Sequence, residues 1–256
     1  MLIHPLLSEV PQGVRQQLMR FVELRHFRKN DVVLLTGQPA FSMYCVASGL
    51  LRVGLPTDAT ARAELITTNF LRVNDIYLSG PLAQADRPNI SELTLVAALP
   101  SAVYVLPMDI VRGLCTQYPS ISMALVDISL ERANMLRRQL RRRSTLSAEK
   151  MVARVLHELT QLAPQGTRAF SKRISQALIA SYTGLSRGVV NKVINDLEQR
   201  GQLRRSGDSI QLEESDEYDT LFGETQESLR KLYQQQQQQA GKDPGAAANY
   251  KKPKWA

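Results

Sequence analysis

The apolar pattern of this 256-residue chain changes period once, at Pro119-Ser120, and that change constrains the fold more than any other feature. Ahead of it lie short apolar runs at 32–36, 43–47, 50–54, 65–70, 93–98 and 103–106. Turn signals separate them: Gly37-Gln38-Pro39, Ser48-Gly49, Pro56-Thr57-Asp58, Asn74-Asp75, Arg87-Pro88-Asn89 and Pro100-Ser101. Short strands between such turns predict a compact antiparallel sandwich or barrel. A helix at about 6–24, with Val14, Leu18 and Val22 on one face, precedes them. Behind Pro119 the spacing is helical throughout, so the fold class is α+β.

One long helix is predicted from Pro119-Ser120 to about Arg143. Proline at a helix start sacrifices no needed N–H, and Ser120 is placed to cap the first turn. Ile121, Leu125, Ile128, Arg132 and Met135 recur at spacings of 4, 3, 4 and 3, a heptad seam with one polar member. Packing on its own domain competes with pairing to a second copy. Pairing is preferred, because Arg137, Arg138, Arg141, Arg142 and Arg143 on another flank leave only a narrow stripe to bury. A buried Arg132 would need a partner, either Glu131 or an acidic group of the other subunit. The arginine cluster reads as a solvated helix end or as a contact for flanking phosphates.

Three amphipathic helices follow Ser147: about 148–162 with Met151, Val155, Leu159 and Leu162 on one face, about 176–182 capped by Ser175, and one capped by Ser186 running to about Gln199. Thr183-Gly184-Leu185 joins the last two. Residues 202–212 then read as a hairpin around Ser206-Gly207-Asp208 with basic shoulders. Four segments result: 1–119, a β-domain; 120–145, a dimerisation helix; 146–213, a domain of three helices and a hairpin; and 214–256, an acidic tail with a run of six glutamines (234–239) that is expected to be flexible.

The net charge of +8 is unevenly spread. Residues 120–145 carry net +4 and 146–212 net +5, whereas 1–119 carry +1 and 213–256 carry −2. A basic middle between near-neutral ends suits a polyanion. Cys45 and Cys115 cannot build a cysteine-rich metal or redox motif, and their 70-residue separation fits a reducing compartment. No run approaches the ~18 apolar residues of a membrane span, and the start lacks the features of a signal peptide. A cytoplasmic protein with no membrane partner is expected.

Helix, glycine-bearing turn, helix is the geometry that presents a second helix to the DNA major groove. Leu178, Ile179, Val190, Val193, Ile194 and Leu197 supply the buried faces, and small Ala180 and Gly184 allow close approach. That leaves Ser186, Arg187, Gly188, Asn191, Lys192 and Asn195 on the exposed side. Arginine reads guanine by a bidentate bond, asparagine reads adenine, and lysine or serine holds phosphates. A plain helical hairpin with a solvated face is the competing reading.

Residues 174–203, ISQALIASYTGLSRGVVNKVINDLEQRGQL, resemble the winged helix-turn-helix of the Crp/Fnr family, bacterial regulators related to the cyclic-AMP receptor protein. The segment carries the family's GxSR turn as Gly184-Leu185-Ser186-Arg187. The resemblance spans about 12–212: a cyclic-nucleotide-binding-like β-roll starting near VVLLTGQPAFSMYCVASGLLRVG, the dimer helix and the DNA-binding domain. It implies a homodimer on a palindromic double-stranded operator, with RNA polymerase as a further partner. Base-contacting positions of the family match Arg187, Gly188 and Lys192; Gly188 departs from the glutamate often found there. Asn191 is expected to add base or phosphate contacts, and Ser175, Gln176, Ser186 and Arg204 to hold the backbone.

In the implied sensor half, the family's Gly-Glu-Leu and Arg-Ser/Thr-Ala segments fall on Asn74-Asp75-Ile76-Tyr77-Leu78-Ser79-Gly80-Pro81 and Ile90-Ser91-Glu92-Leu93-Thr94. Serine replaces the ribose-binding glutamate, and the phosphate-binding arginine is missing. Tyr77, Ser79, Gly80 and Glu92 would line an effector pocket, but Glu92 repels phosphate, so cyclic AMP is not expected to bind. An unidentified small molecule or partner protein is the alternative effector. His4, His26 and His157 are dispersed, so no metal, haem or catalytic site is expected and no cofactor is called for. From a different functional class, an adaptor whose winged helix and tail contact proteins remains the competing reading.

Overall fold

The computed structural model describes residues 5–7, 10–57, 64–82, 90–161 and 169–212. The expectations for Arg87, His4, Leu162 and the tail from 213 lie outside them. The N-terminal part begins with a single 3-10 turn, Pro5–Leu7, and helix α1, Gln12–Leu18. Eight strands follow: β1 Glu23–Phe27, β2 Val32–Leu34, β3 Ser42–Ser48, β4 Leu51–Pro56, β5 Leu65–Leu71, β6 Ile76–Leu78, β7 Thr94–Ala97 and β8 Ser101–Pro107. They form two antiparallel sheets of four, ordered β1-β8-β3-β6 and β2-β7-β4-β5.

Alternation along the strands explains how the sheets pack. Tyr44, Val46, Tyr77, Val103 and Val105 of the first sheet meet Leu34, Leu51, Val53, Leu71, Leu95 and Ala97 of the second. On the opposite face of the first sheet, Met43, Cys45, Ile76 and Leu106 pack against Met108, Val111 and Leu114 of helix α2, Met108–Gln117. Gly49 is needed where the β3–β4 turn crosses the β8 start. Its φ is +86°, and a Cβ there would stand 2.3 Å from the Pro100 carbonyl oxygen.

Two expectations for this half are corrected. The first helix ends at Leu18 rather than continuing to Leu24. Glu23–Phe27 instead pairs residue by residue with β8, from Glu23 opposite Val105 to Phe27 opposite Ser101, and that ladder overrides the helical spacing. Strand β6 was not anticipated either; Met43 to Cys45 register it against Leu78 to Ile76.

Helix α3, Pro119–Thr145, is the predicted long helix, with proline in its first turn. Tyr118 precedes that turn, and no side chain caps it, contrary to the role given to Ser120. The larger correction concerns the seam. Ile121 and Leu125 are almost wholly buried in the core against the β-roll, and Ile128 packs beside them. Arg132 donates to the Ile76 carbonyl and lies with Cζ 5.7 Å from the Tyr77 ring centroid. Glu131 pairs with Arg138 at 3.1 Å instead of serving Arg132. The anticipated dimer seam is therefore the helix's inward face, the arrangement that had been weighed as its competitor; Met135 is half-buried.

Past α3 come α4 Ala148–Gln161, β9 Ala169–Ser171, α5 Gln176–Thr183, α6 Arg187–Gln199, β10 Leu203–Ser206 and β11 Ser209–Leu212. The last strands make a small sheet, β10-β11-β9, in which β9 was not foreseen. Met151, Val155 and Leu159 of α4 are buried, as are all six apolar residues assigned to the α5–α6 core.

Candidate nucleic-acid interface

Two serines set the ends of the helix pair. Ser175, in extended backbone, accepts from the Leu178 N–H at 3.2 Å, and Ser186 accepts from the Val189 N–H at 3.3 Å. Each satisfies an N–H that the first helical turn leaves free. Between them Gly184 takes φ +76°, left-handed backbone that caps α5. The glycine had been assigned to close helix packing. A Cβ there would meet nothing nearer than the Arg143 guanidinium carbon at 3.9 Å, so the dihedral and not crowding calls for glycine.

Val190, Val193, Ile194 and Leu197 bury one side of α6. Ser186, Arg187, Gly188, Asn191, Lys192 and Asn195 are all exposed on the other, so the structure gathers the predicted reading face on one helix. A Cβ at Gly188 would meet only the Ser186 hydroxyl, at 4.0 Å. The position would accommodate a side chain; its absence leaves open space at the helix start. Gln176 at the α5 start is half-buried, and its Nε2 donates to Asn191 Oδ1 at 3.0 Å. Arg204 is exposed on β10, and its neighbour Arg205 is paired with Glu198 of α6, tying the hairpin to the reading helix.

The arginine cluster is used internally to a degree the sequence does not disclose. Glu158 of α4 accepts from Arg142 of α3, from Arg154 Nε at 3.1 Å and from the Tyr182 hydroxyl at 3.2 Å. Arg143 donates to the Tyr182 carbonyl at 2.9 Å. Burial, reinforced by the Glu158 carboxylate, pushes the Tyr182 phenol well above its ordinary range. Arg142 and Arg143 thus join the long helix to the DNA-binding domain rather than standing free for flanking phosphates. A second joint lies at β5, where Phe70 and Tyr182 rings approach to 4.9 Å between centroids.

The predicted effector-pocket residues come together only in part: Glu92 lies near enough to act on the Tyr77 phenol, while Ser79 and Gly80 belong to the β6 end. Ser79 donates to the Ser42 carbonyl at 2.7 Å and accepts from the Ser42 N–H at 3.1 Å, so its hydroxyl is spent on the β3–β6 contact. Gly80 follows at the strand end, and Glu92 is exposed. Tyr77 alone faces the sandwich interior, where burial raises its phenol and Arg132 lies against the ring. Burial also holds the Arg132 guanidinium below its ordinary value, with the Asp75 carboxylate opposing the shift. Among the described residues no three His, Cys, Asp or Glu groups cluster as metal ligands would.

Residues 151–216 match the Crp-like helix-turn-helix domain. The chain is 26% identical over 197 residues to the CRP-like cAMP-activated global transcriptional regulator of Mycobacterium tuberculosis (strain CDC 1551 / Oshkosh), covering 74% of this chain and 84% of that one. A Crp-like helix-turn-helix domain thus occupies residues 151–216, and the chain as a whole is similar to Crp/Fnr regulators. The likeness of fold extends beyond that domain to solved structures. FixK2 from Bradyrhizobium japonicum superposes with a TM-score of 0.66 at 17% identity, over 78% of this chain and 96% of the other. The c-di-GMP responsive global regulator CLP of Xanthomonas campestris gives a TM-score of 0.62 at 18% identity, over 80% and 100%.

Four groups escaped the sequence reading. They are the Gln176–Asn191 bond, the Glu158 hub, the Ser181 contact with β5 and an outward stripe on α3. Only the stripe had a legible signal. Met123, Val126, Leu130, Ala133, Arg137 and Leu140 follow spacings of 3, 4, 3, 4 and 3, and Met123, Val126, Leu130 and Leu140 are 50–70% exposed.

Proposed function

We propose that this chain is a sequence-specific DNA-binding transcription regulator that acts as a homodimer on two half-sites of a palindromic operator and does so without cyclic AMP. The observation that carries the reading is the α6 face: Arg187, Asn191, Lys192 and Asn195 lie exposed on a helix whose opposite side is buried and whose start is capped. A helix held in this way enters the major groove with its first turns toward base edges.

The second copy docks on α3, with the outward heptad stripe taking the role first given to Ile121 and its neighbours. Exposed Met123, Val126, Leu130 and Leu140 are otherwise left to water on a helix whose other face is already covered. Two stripes back to back let the same helix serve as core and as interface. Twofold pairing then matches operator symmetry, with half-sites about one helical turn apart.

Cyclic-AMP independence is supported by the sensor half. Ser79 stands where a ribose-binding carboxylate is called for, and its hydroxyl already has two partners. Arg132, a charged α3 side chain that reaches the roll, is engaged with Ile76 and Tyr77. The reading includes no cofactor or catalytic role. It leaves a small molecule or a partner protein as effector, RNA polymerase as downstream partner and the cytoplasm as its place of action. No described helix is long and apolar enough to cross a membrane.

Selection of genomic fragments by the purified full chain tests the function: enrichment of one inverted repeat supports it, and salt-independent retention of nothing overturns it. Calorimetry with cyclic AMP tests the sensor half, where a micromolar isotherm would refute independence.

A further inference from the structure

The geometry points to Gln176 as a residue that sets which base Asn191 reads. This rests on the DNA-reading function proposed above.

Asn191 lies one helical turn beyond Arg187 on the exposed face of α6, so it follows the arginine along the groove. An asparagine amide reads adenine by presenting two ends to one base edge: the oxygen accepts from N6 and the NH2 donates to N7. Both ends must lie in the plane of the base. In this chain the oxygen is held from behind. Gln176 Nε2, at the first position of α5, donates to Asn191 Oδ1 at 3.0 Å.

That bond turns Oδ1 toward α5 and leaves Nδ2, its donor end, for the groove. A donor seeks acceptors, and guanine offers two in the major groove, N7 and O6. The half-buried position of Gln176 makes the restraint effective, because packing limits its rotamers while the Asn191 side chain is exposed. Gln176 is therefore a positioning residue. It acts on specificity through Asn191 and is not confined to the backbone contact the sequence suggested for it.

The inference separates base choice from overall affinity. Ser175 caps α5 whatever stands at 176, so replacing Gln176 leaves the helix in place. In Gln176→Ala the amide is free to turn, and the two-ended adenine contact becomes available. In Gln176→Glu the new carboxylate only accepts, so Asn191 must turn its NH2 toward residue 176 and offer Oδ1 to the groove. Bases with an amino group, adenine and cytosine, then gain.

The experiment selects the full-length wild type, Gln176→Ala, Gln176→Glu and Asn191→Ala proteins against an operator library randomised across both half-sites. Asn191→Ala locates the base pair by flattening preference at one position per half-site. At that position the wild type is expected to favour guanine. Gln176→Ala should raise the adenine-to-guanine ratio by about tenfold, and Gln176→Glu should shift it toward adenine and cytosine. Identical preferences in wild type and both Gln176 variants would overturn the inference even where affinity falls, since lost affinity alone is what a phosphate contact predicts. A wild type that selects no sequence would instead overturn the DNA-reading function, and the inference with it.

Discussion

The Ser181 hydroxyl stands 2.8 Å from the Thr67 backbone nitrogen and 2.9 Å from the Thr67 hydroxyl, and a side chain of the DNA-binding domain thereby satisfies the β-roll. It donates onward to the Leu65 carbonyl at 2.6 Å. Strand β5 is the last of its sheet, so these are the polar groups of a free strand edge.

Ser181→Ala removes the one hydroxyl that serves both the N–H and the side chain of Thr67, a residue that is 0% exposed. An unsatisfied buried N–H costs about 1–3 kcal/mol. The Thr67 amide is expected to exchange its hydrogen about tenfold faster, with little change at β8. Unaltered protection at Thr67 would show that water or a neighbour replaces the hydroxyl at no cost.

The two faces of α3 should respond oppositely to substitution. Leu125→Ala empties a core site and is expected to destabilise the fold by about 2–5 kcal/mol. Leu130→Glu places a charge on the outward stripe, where the protomer has nothing to lose. It should keep its melting temperature at high dilution and sediment as a monomer at concentrations where the wild type pairs. A dimer unaffected by Leu130→Glu would move the interface elsewhere.

Arg187→Ala is expected to weaken operator binding by about 1–3 kcal/mol and to relax preference at one base pair per half-site. A uniform loss across all sequences, with a shallower dependence on salt, would reassign Arg187 to a phosphate.

Burial pushes the Cys45 thiol to about 11, and the Asp75 carboxylate adds to the shift. The folded chain holds this proton more tightly than the unfolded chain does. The associated stabilisation is complete below the ordinary thiol range and disappears as pH climbs through about 11. The loss is about 2–3 kcal/mol, measurable as a drop in unfolding free energy between pH 8 and pH 11 that Cys45→Ala lacks. In labelling at pH 8, half-buried Cys115 should react first and Cys45 only on unfolding.

How much of this could be read in advance depended on whether the signal was local. The α5 and α6 caps and the exposed α6 face were legible because each follows from a few adjacent residues; Gly184 was legible as a turn position but not as the left-handed cap it is. Most strands were legible as apolar runs between turns. Glu23–Phe27 was not, since four of its five residues are exposed and only its register with β8 makes it a strand. On α3 two stripes of heptad spacing run along one helix, and spacing cannot say which meets the β-roll; the buried volumes around Ile121 and Leu125 decide it. The Glu158 hub draws on α3, α4 and α5, which approach one another only in the tertiary fold. Ser79 and Gln176 were placed by family position, yet the partners that define them, Ser42 and Asn191, are 37 and 15 residues away.

The single carboxylate of Glu158 has a mechanical consequence. Three helices hold one shared acceptor, and rolling any of them strands an arginine or a phenol inside a low-dielectric joint. Any motion of α3 or α5 relative to α4 must therefore supply enough free energy to unseat that carboxylate from its partners.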